Sequence, residues 1–205
     1  MPDKILEKHT AQQKQYFHQN RPLLQKLVQE GQQPDVLFIT CSDSRIMAEG
    51  MLGLKAGDFF VHRNIAACVP PYVQPEISTT AVLEFAVMTL KVKHIIVCGH
   101  TDCGGVLKVD DPPSISDMPA LSRWLDHIQP ARRDVDATSH DLAPAERHHA
   151  IVERHVVNQL TNLRSYPFVR EAENQGELTL HGWVDYLDEQ TLRYYDEQIG
   201  YFIEE

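Results

Sequence analysis

The chain has 205 residues, 42% of them hydrophobic, enough to bury one substantial core within the size range of a single domain. Its 29 acidic against 19 basic residues give a formal charge of −10, which argues against nucleic-acid binding, since that is built on clustered lysine and arginine. No apolar run is long enough to span a membrane. The beginning, Met1-Pro2-Asp3-Lys4-Ile5-Leu6-Glu7, lacks the basic-then-apolar profile of a secretory signal. Four cysteines are too few for a disulfide framework, so the expected setting is a reducing cytoplasm.

In chain order, residues 3–31 read as a helix. Leu23, Leu24, Leu27 and Val28 form a helix-spaced apolar stripe, and Gly31 terminates it. This stretch precedes the first strand and is expected to pack on a neighbouring subunit. Strands are predicted at 36–40, 58–63 and 94–98, with a helix at about 76–91 between the second and third, a rhythm that implies a parallel sheet with right-handed crossovers. Proline and aspartate at 110–119 mark a loop. Helices follow at 119–129, 144–164 and 167–175, the last closed by Gly176, and residues 177–186 return as a strand. Residues 130–143 are polar and show no period. The fold class is therefore α/β: a mostly parallel central sheet flanked by helices, with an arm at 1–33 and a core at 34–205.

Two motifs stand at predicted strand ends. Val36-Leu37-Phe38-Ile39-Thr40 runs into Cys41-Ser42-Asp43-Ser44-Arg45, and His94-Ile95-Ile96-Val97-Cys98-Gly99 runs into His100-Thr101-Asp102-Cys103-Gly104-Gly105. Ligands of open α/β sheets bind beyond the carboxyl ends of such strands. Two thiols and an imidazole delivered there make a catalytic zinc set with a fourth position open. A structural zinc module pairs its ligands locally at both ends, whereas Cys41 lies far upstream of His100 and Cys103 and must be brought in by the fold. Buried cysteines acting as small hydrophobes are the alternative. The acid, the arginine, the glycines and the strand ends favour zinc. Cys68 and Cys98 then remain as buried structural thiols.

These residues resemble a known family. Cys-x-Asp-x-Arg followed by His-x-x-Cys-Gly-Gly is similar to the β-class carbonic anhydrases. Gly57-Asp58-Phe59-Phe60-Val61-His62-Arg63-Asn64-Ile65-Ala66, Glu84-Phe85-Ala86 and His181-Gly182-Trp183-Val184 resemble that family's central strand, following helix and late strand. The resemblance runs from about residue 30 to 190. It implies one Zn2+ per chain on Cys41, His100 and Cys103, a catalytic pair in Asp43 and Arg45, and reversible hydration of carbon dioxide to bicarbonate and a proton. A homodimer or higher homo-oligomer is expected.

Charge bookkeeping fits those roles. Two thiolates cancel the charge of a zinc ion, so it acidifies water less than one held by three neutral imidazoles, and help is needed nearby. Asp43, as a carboxylate, can accept a hydrogen bond from zinc-bound hydroxide and orient it toward carbon dioxide; a bidentate Arg45 keeps the acid ionised and off the metal. Backbone amides at Gly104 and Gly105 could stabilise developing negative charge, with Gly105 the candidate for direct substrate contact.

The flanks look like the plant-type branch of the family, in which residues matching Gln32 and Tyr72 face the active site, the glutamine from across a dimer interface. Phe60 is a candidate apolar wall. Ala67 replaces an asparagine usual in the family. In another branch a non-catalytic bicarbonate pocket uses a tryptophan, an arginine and a tyrosine; here Arg63 matches, but the other positions are Phe38 and Asp185, so an open site with Asp43 paired to Arg45 is expected. His148, His149 and His155 are read as part of a solvated helix face among charges. Hydrolysis of carbon disulfide or carbonyl sulfide, and a non-catalytic zinc-thiolate redox sensor, are the alternative functions.

Overall fold

The computed structural model describes residues 2–47, 50 and 52–204. A mixed sheet of six strands has the order β2-β1-β3-β4-β5-β6, with β1 Val36–Cys41, β2 Phe59–Asn64, β3 His94–His100, β4 Thr179–Tyr186, β5 Thr191–Asp196 and β6 Tyr201–Ile203. The first four strands in that order are mutually parallel, and β5 and β6 add antiparallel to the β4 edge. The arm is α1, Pro2–Glu30, and the helix between β2 and β3 is α2, Ile77–Glu84, which widens into a π-helical stretch at Phe85–Leu90. After β3 come α3 Gly104–Leu107, α4 Pro119–Leu125, α5 Gln129–Thr138, α6 Pro144–Ser165 and α7 Pro167–Asn174. None is long and apolar enough to cross a membrane among the described residues.

The two central strands, β1 and β3, form because they are short, β-branched and buried on both faces, while β2 and β4 beside them are less buried. Leu37 and Ile39 of β1 and Ile95 and Val97 of β3 enter the main core with α6, while Phe38, Ile96 and Cys98 form a smaller cluster on the other face with Phe59 and Trp183. Helix α6 lies directly on the sheet because β3 and β4 present glycines to it. A Cβ at Gly99 would sit 2.8 Å from Val156 Cγ2, and one at Gly182 would sit 2.9 Å from Val156 Cγ1. The arm touches the core where Leu27 packs over Gly57, but Val28 is exposed. Cys68 and Cys98 are fully buried free thiols, as expected.

Three expectations are corrected. Residues 130–143 contain most of α5: Pro130 stands in its first turn, and Ala131 and Val135 make a buried stripe too thin to read as a period. The predicted helix at 119–129 correspondingly stops at Leu125. His148 and His155 are not solvated, being 7% and 2% exposed. They belong to a stripe with Ile151, Val152, Val156, Gln159, Leu160 and Leu163, whose three-and-four spacing is the signal that the flanking charges obscured. Strands β5 and β6, Tyr-rich and only half-buried, had no expectation attached to them.

Candidate metal centre

Parallel pairing places the carboxyl ends of β1 and β3 side by side, with Thr40 opposite Cys98, so the residues just beyond them share one space. Cys41 ends β1, His100 ends β3, and the turn after His100 carries Cys103 to the start of α3. All three are buried, at 4%, 1% and 2% exposure, and their ligand atoms lie within 4.8 Å of one another. They are the only such group of three or more metal-capable side chains among the described residues.

The donor set fits zinc on geometry. Cys41 Sγ and Cys103 Sγ are 3.9 Å apart, and two Zn–S bonds of about 2.3 Å at a tetrahedral angle would place the sulfurs about 3.8 Å apart. His100 Nδ1 donates to the Thr101 carbonyl at 2.8 Å, which leaves Nε2 as the free lone pair. That Nε2 is buried without a hydrogen-bond partner, a costly state unless a ligand or ion completes it. His148 Nε2 is also buried without a partner, but no sulfur accompanies it. The Cys41 thiol is pushed far below the usual thiol range, first by the hydrogen bond from Cys103 and then by contacts with His100 and the Asp43 and Ala66 amides, while the same Cys103–Cys41 bond pushes Cys103 up. A divalent cation would take the place of the proton the pair shares.

Asp43 and Arg45 are joined as a fork. Asp43 Oδ1 accepts from Arg45 Nε and from the Arg45 backbone amide, both at 2.9 Å, and Oδ2 accepts from Nη2 at 2.8 Å. Nη2 also donates to the Asp102 carbonyl at 2.9 Å, tying the fork to the second motif. Arg45 therefore holds the Asp43 carboxyl well below the usual carboxylate range. Its Oδ2 lies 4.0 Å from His100 Nε2.

A cavity of 280 Å³ opens over the site, lined by Cys41, Ser42, Asp43, Ile65, Gly104, Gly105, Lys108 and Leu121. Lys108 and Leu121 carry no motif, and Ile65 was read only as part of the central-strand stretch; none of the three was foreseen as lining the site. Gly105 has a packing reason as well: a Cβ there would meet Ile65 Cγ2 at 2.7 Å. The structure does not bring Gln32, Phe60 or Tyr72 to this cavity within the chain. Gln32 is exposed before β1, and the strand alone spans about 16 Å at about 3.3 Å per residue. Phe60 sits near the amino end of β2 against Phe85, and the half-exposed Tyr72 ring packs on Tyr166. Arg63 directs Nε and Nη2 to the carbonyls of Cys41, Asp43 and Ile46, so it braces the Cys41–Ile46 loop. Asp185 is 7% exposed, and burial raises its pKa.

The fold and donor set thus define a class: an α/β protein with a Cys-His-Cys cluster able to hold a metal ion at the carboxyl ends of parallel strands. Residues 36–192 match the family model described as carbonic anhydrase. The chain is 40% identical over 164 residues to a carbonic anhydrase of Pseudomonas aeruginosa, covering 80% of this chain and 74% of the relative. It is 34% identical over 191 residues to carbonic anhydrase 1 of Escherichia coli O157:H7, covering 93% and 86%. Among solved structures it is similar to the β-carbonic anhydrase CcaA, with a TM-score of 0.92, 31% identity and coverage of 99% and 91%. A tetrameric β-carbonic anhydrase of Sordaria macrospora gives a TM-score of 0.82 at 35% identity, covering 94% and 95%. The chain belongs to the β-class carbonic anhydrases, whose reaction is the hydration of carbon dioxide.

Proposed function

We propose that the chain hydrates carbon dioxide reversibly with one zinc ion held by Cys41, His100 and Cys103, and with Asp43 and Arg45 as the catalytic pair. The observation that carries this reading is the Asp43–Arg45 fork, whose Oδ2 stands 4.0 Å from the His100 nitrogen that would face the metal. When bound, zinc supplies a Lewis acid that makes water a nucleophile near neutral pH. Asp43 Oδ2, an ionised acceptor at the cavity, would accept a hydrogen bond from the attacking water and orient it toward carbon dioxide. Arg45 keeps Asp43 ionised and would hold it off a bound metal, since both carboxylate oxygens are engaged by its fork. Ile65 and Leu121 give carbon dioxide an apolar wall, and Gly105 contributes a surface without a side chain. Lys108 at the rim offers bicarbonate local attraction that a net charge of −10 denies it.

The reading includes an oligomer in which Gln32, Phe60 and Tyr72 serve the cavity of a second copy. Their distance from their own cavity supports this, as does the exposure of Tyr72, Val73, Ile77, Phe85 and Met88 on one stretch of chain. The relatives from Sordaria macrospora are tetrameric. A reducing, cytoplasmic setting is supported by four free cysteines. Stopped-flow carbon dioxide hydration by the zinc-loaded protein and its Asp43→Asn variant tests the reading. Rapid turnover lost in a variant that keeps its zinc is expected, and full activity in Asp43→Asn would remove the acid from the mechanism.

A further inference from the structure

After β2 the chain makes a turn that no motif foretold. Ala66 and Ala67 both take left-handed backbone conformations, with φ of 63° and 53°, and such strain persists only where surroundings over-determine it. The bond made by the turn shows what is gained: Ala66 N–H donates to Cys41 Sγ at 3.4 Å. The peptide that carries this N–H has the Ile65 carbonyl at its other end, and that oxygen accepts from Trp124 Nε1 at 2.9 Å. One amide thus links an indole on α4 to a sulfur of the metal centre, and a donor on its carbonyl makes its N–H a stronger donor in turn.

The rest of the turn is clamped from α6. His155 Nε2 donates to the Ala66 carbonyl at 3.0 Å. Gln159 Oε1 accepts from Val69 N–H at 2.8 Å, which fixes the orientation of its amide and points Nε2 at His155 Nδ1, 3.2 Å away. That contact leaves His155 Nδ1 as acceptor and Nε2 as donor. Asn162 holds the Val69 carbonyl, and Asn64 brackets Cys68 through both its amide and its carbonyl. His155 is 2% exposed and burial pushes it down to about 4, so the ring is neutral and its bonding pattern is constant across the working pH range.

We propose that Trp124 and His155 are positioning residues for the metal centre: Trp124 polarises the Ile65–Ala66 peptide and His155 fixes the turn, so that the Ala66 amide withdraws charge from the Cys41 sulfur. This rests on the zinc reading above, because it addresses the weakness of a two-thiolate site, which acidifies water poorly unless charge is drawn from its sulfurs. The test uses cobalt(II)-substituted protein, in which the sulfur-to-metal charge-transfer band reports electron density on the thiolates. Trp124→Phe keeps an aromatic ring and removes the donor. It should bind a full equivalent of cobalt, shift the band to lower energy, and raise the pH midpoint of carbon dioxide hydration by roughly 0.3–0.5 unit in the zinc form. His155→Ala should shift the band the same way, and His155→Gln, which restores a donor to the Ala66 carbonyl, should return it. A fully metallated Trp124→Phe with an unmoved band and midpoint would overturn the relay, and equal behaviour of His155→Ala and His155→Gln would overturn the role of His155. A wild-type protein with no sulfur-to-cobalt band would instead sink the zinc reading itself.

Discussion

Two buried histidines, His100 beside Cys41 and Cys103 and His155 behind the turn that bonds Cys41, do opposite things with their nitrogens. His100 gives Nδ1 to the Thr101 carbonyl and leaves a buried Nε2 with no partner, facing Cys41 and Cys103. His155 satisfies both nitrogens, one on the Ala66 carbonyl and one at Gln159. Burial is nearly the same, at 1% and 2%. The difference teaches that burial alone does not mark a metal ligand. An incomplete hydrogen-bond set beside other soft donors does, because an orphaned nitrogen is costly unless something binds it.

The largest expected effect breaks the metal side of that comparison. Cys41→Ser, His100→Ala and Cys103→Ser should each lose most bound zinc, since neither a hydroxyl nor a methyl replaces a thiolate or an imidazole in a three-ligand site. Metal analysis of the purified variants checks this; near-stoichiometric zinc in one of them removes that residue from the ligand set. Next comes Asp43→Asn, which should retain zinc and lose roughly 10²–10⁴-fold in hydration rate, the range for a lost proton acceptor. Stopped-flow turnover beside a zinc measurement on the same sample separates the two effects.

The scaffold side is sharpened by acid titration of stability. The folded-state pKa of His155 is pushed down to about 4 by burial, against an unfolded value of about 6.5. Between those values the unfolded chain binds the extra proton, so stability falls as pH falls from 6.5 toward 4, by roughly 3 kcal/mol at the lower end. Urea midpoints of wild type and His155→Gln across that interval should converge as the pH drops, and parallel curves would contradict a neutral buried ring. The smallest effect is expected from Gly105→Ala. Its new Cβ would press on Ile65 Cγ2 at 2.7 Å and on Ala66 Cβ at 3.2 Å, an overpacking that costs about 1–3 kcal/mol. Thermal unfolding of the metal-loaded variant measures it.

Much of the site was legible because its residues are adjacent in sequence to the elements that carry them. Strands β1 and β3 have short β-branched runs, and the cysteines, histidine, aspartate and arginine stand at or just beyond their carboxyl ends. What the sequence could not show was held at long range. The Ala66–Ala67 turn puts two residues other than glycine or asparagine in left-handed backbone, and it is held by Trp124, His155 and Gln159 from elsewhere in the chain. Helix α5 is polar and was invisible to periodicity, yet Asp136 pairs with Arg147 of α6 and its two small apolar residues are buried. Ile65, Lys108 and Leu121 meet at the cavity only after folding.

By itself, then, the sequence determined the candidate ligand types, the parallel strands that deliver them and the acid–arginine pair, since each depends on residue chemistry and on spacings of a few positions. Only the tertiary structure decided that the two sulfurs stand 3.9 Å apart, that a buried imidazole nitrogen is left without a partner beside them, and that an amide in a strained turn points at one sulfur. Those are distances between groups far apart in the chain, fixed by the parallel pairing of β1 with β3, by α6 packed on the sheet and by Trp124 bonded to the turn, and no local preference encodes them.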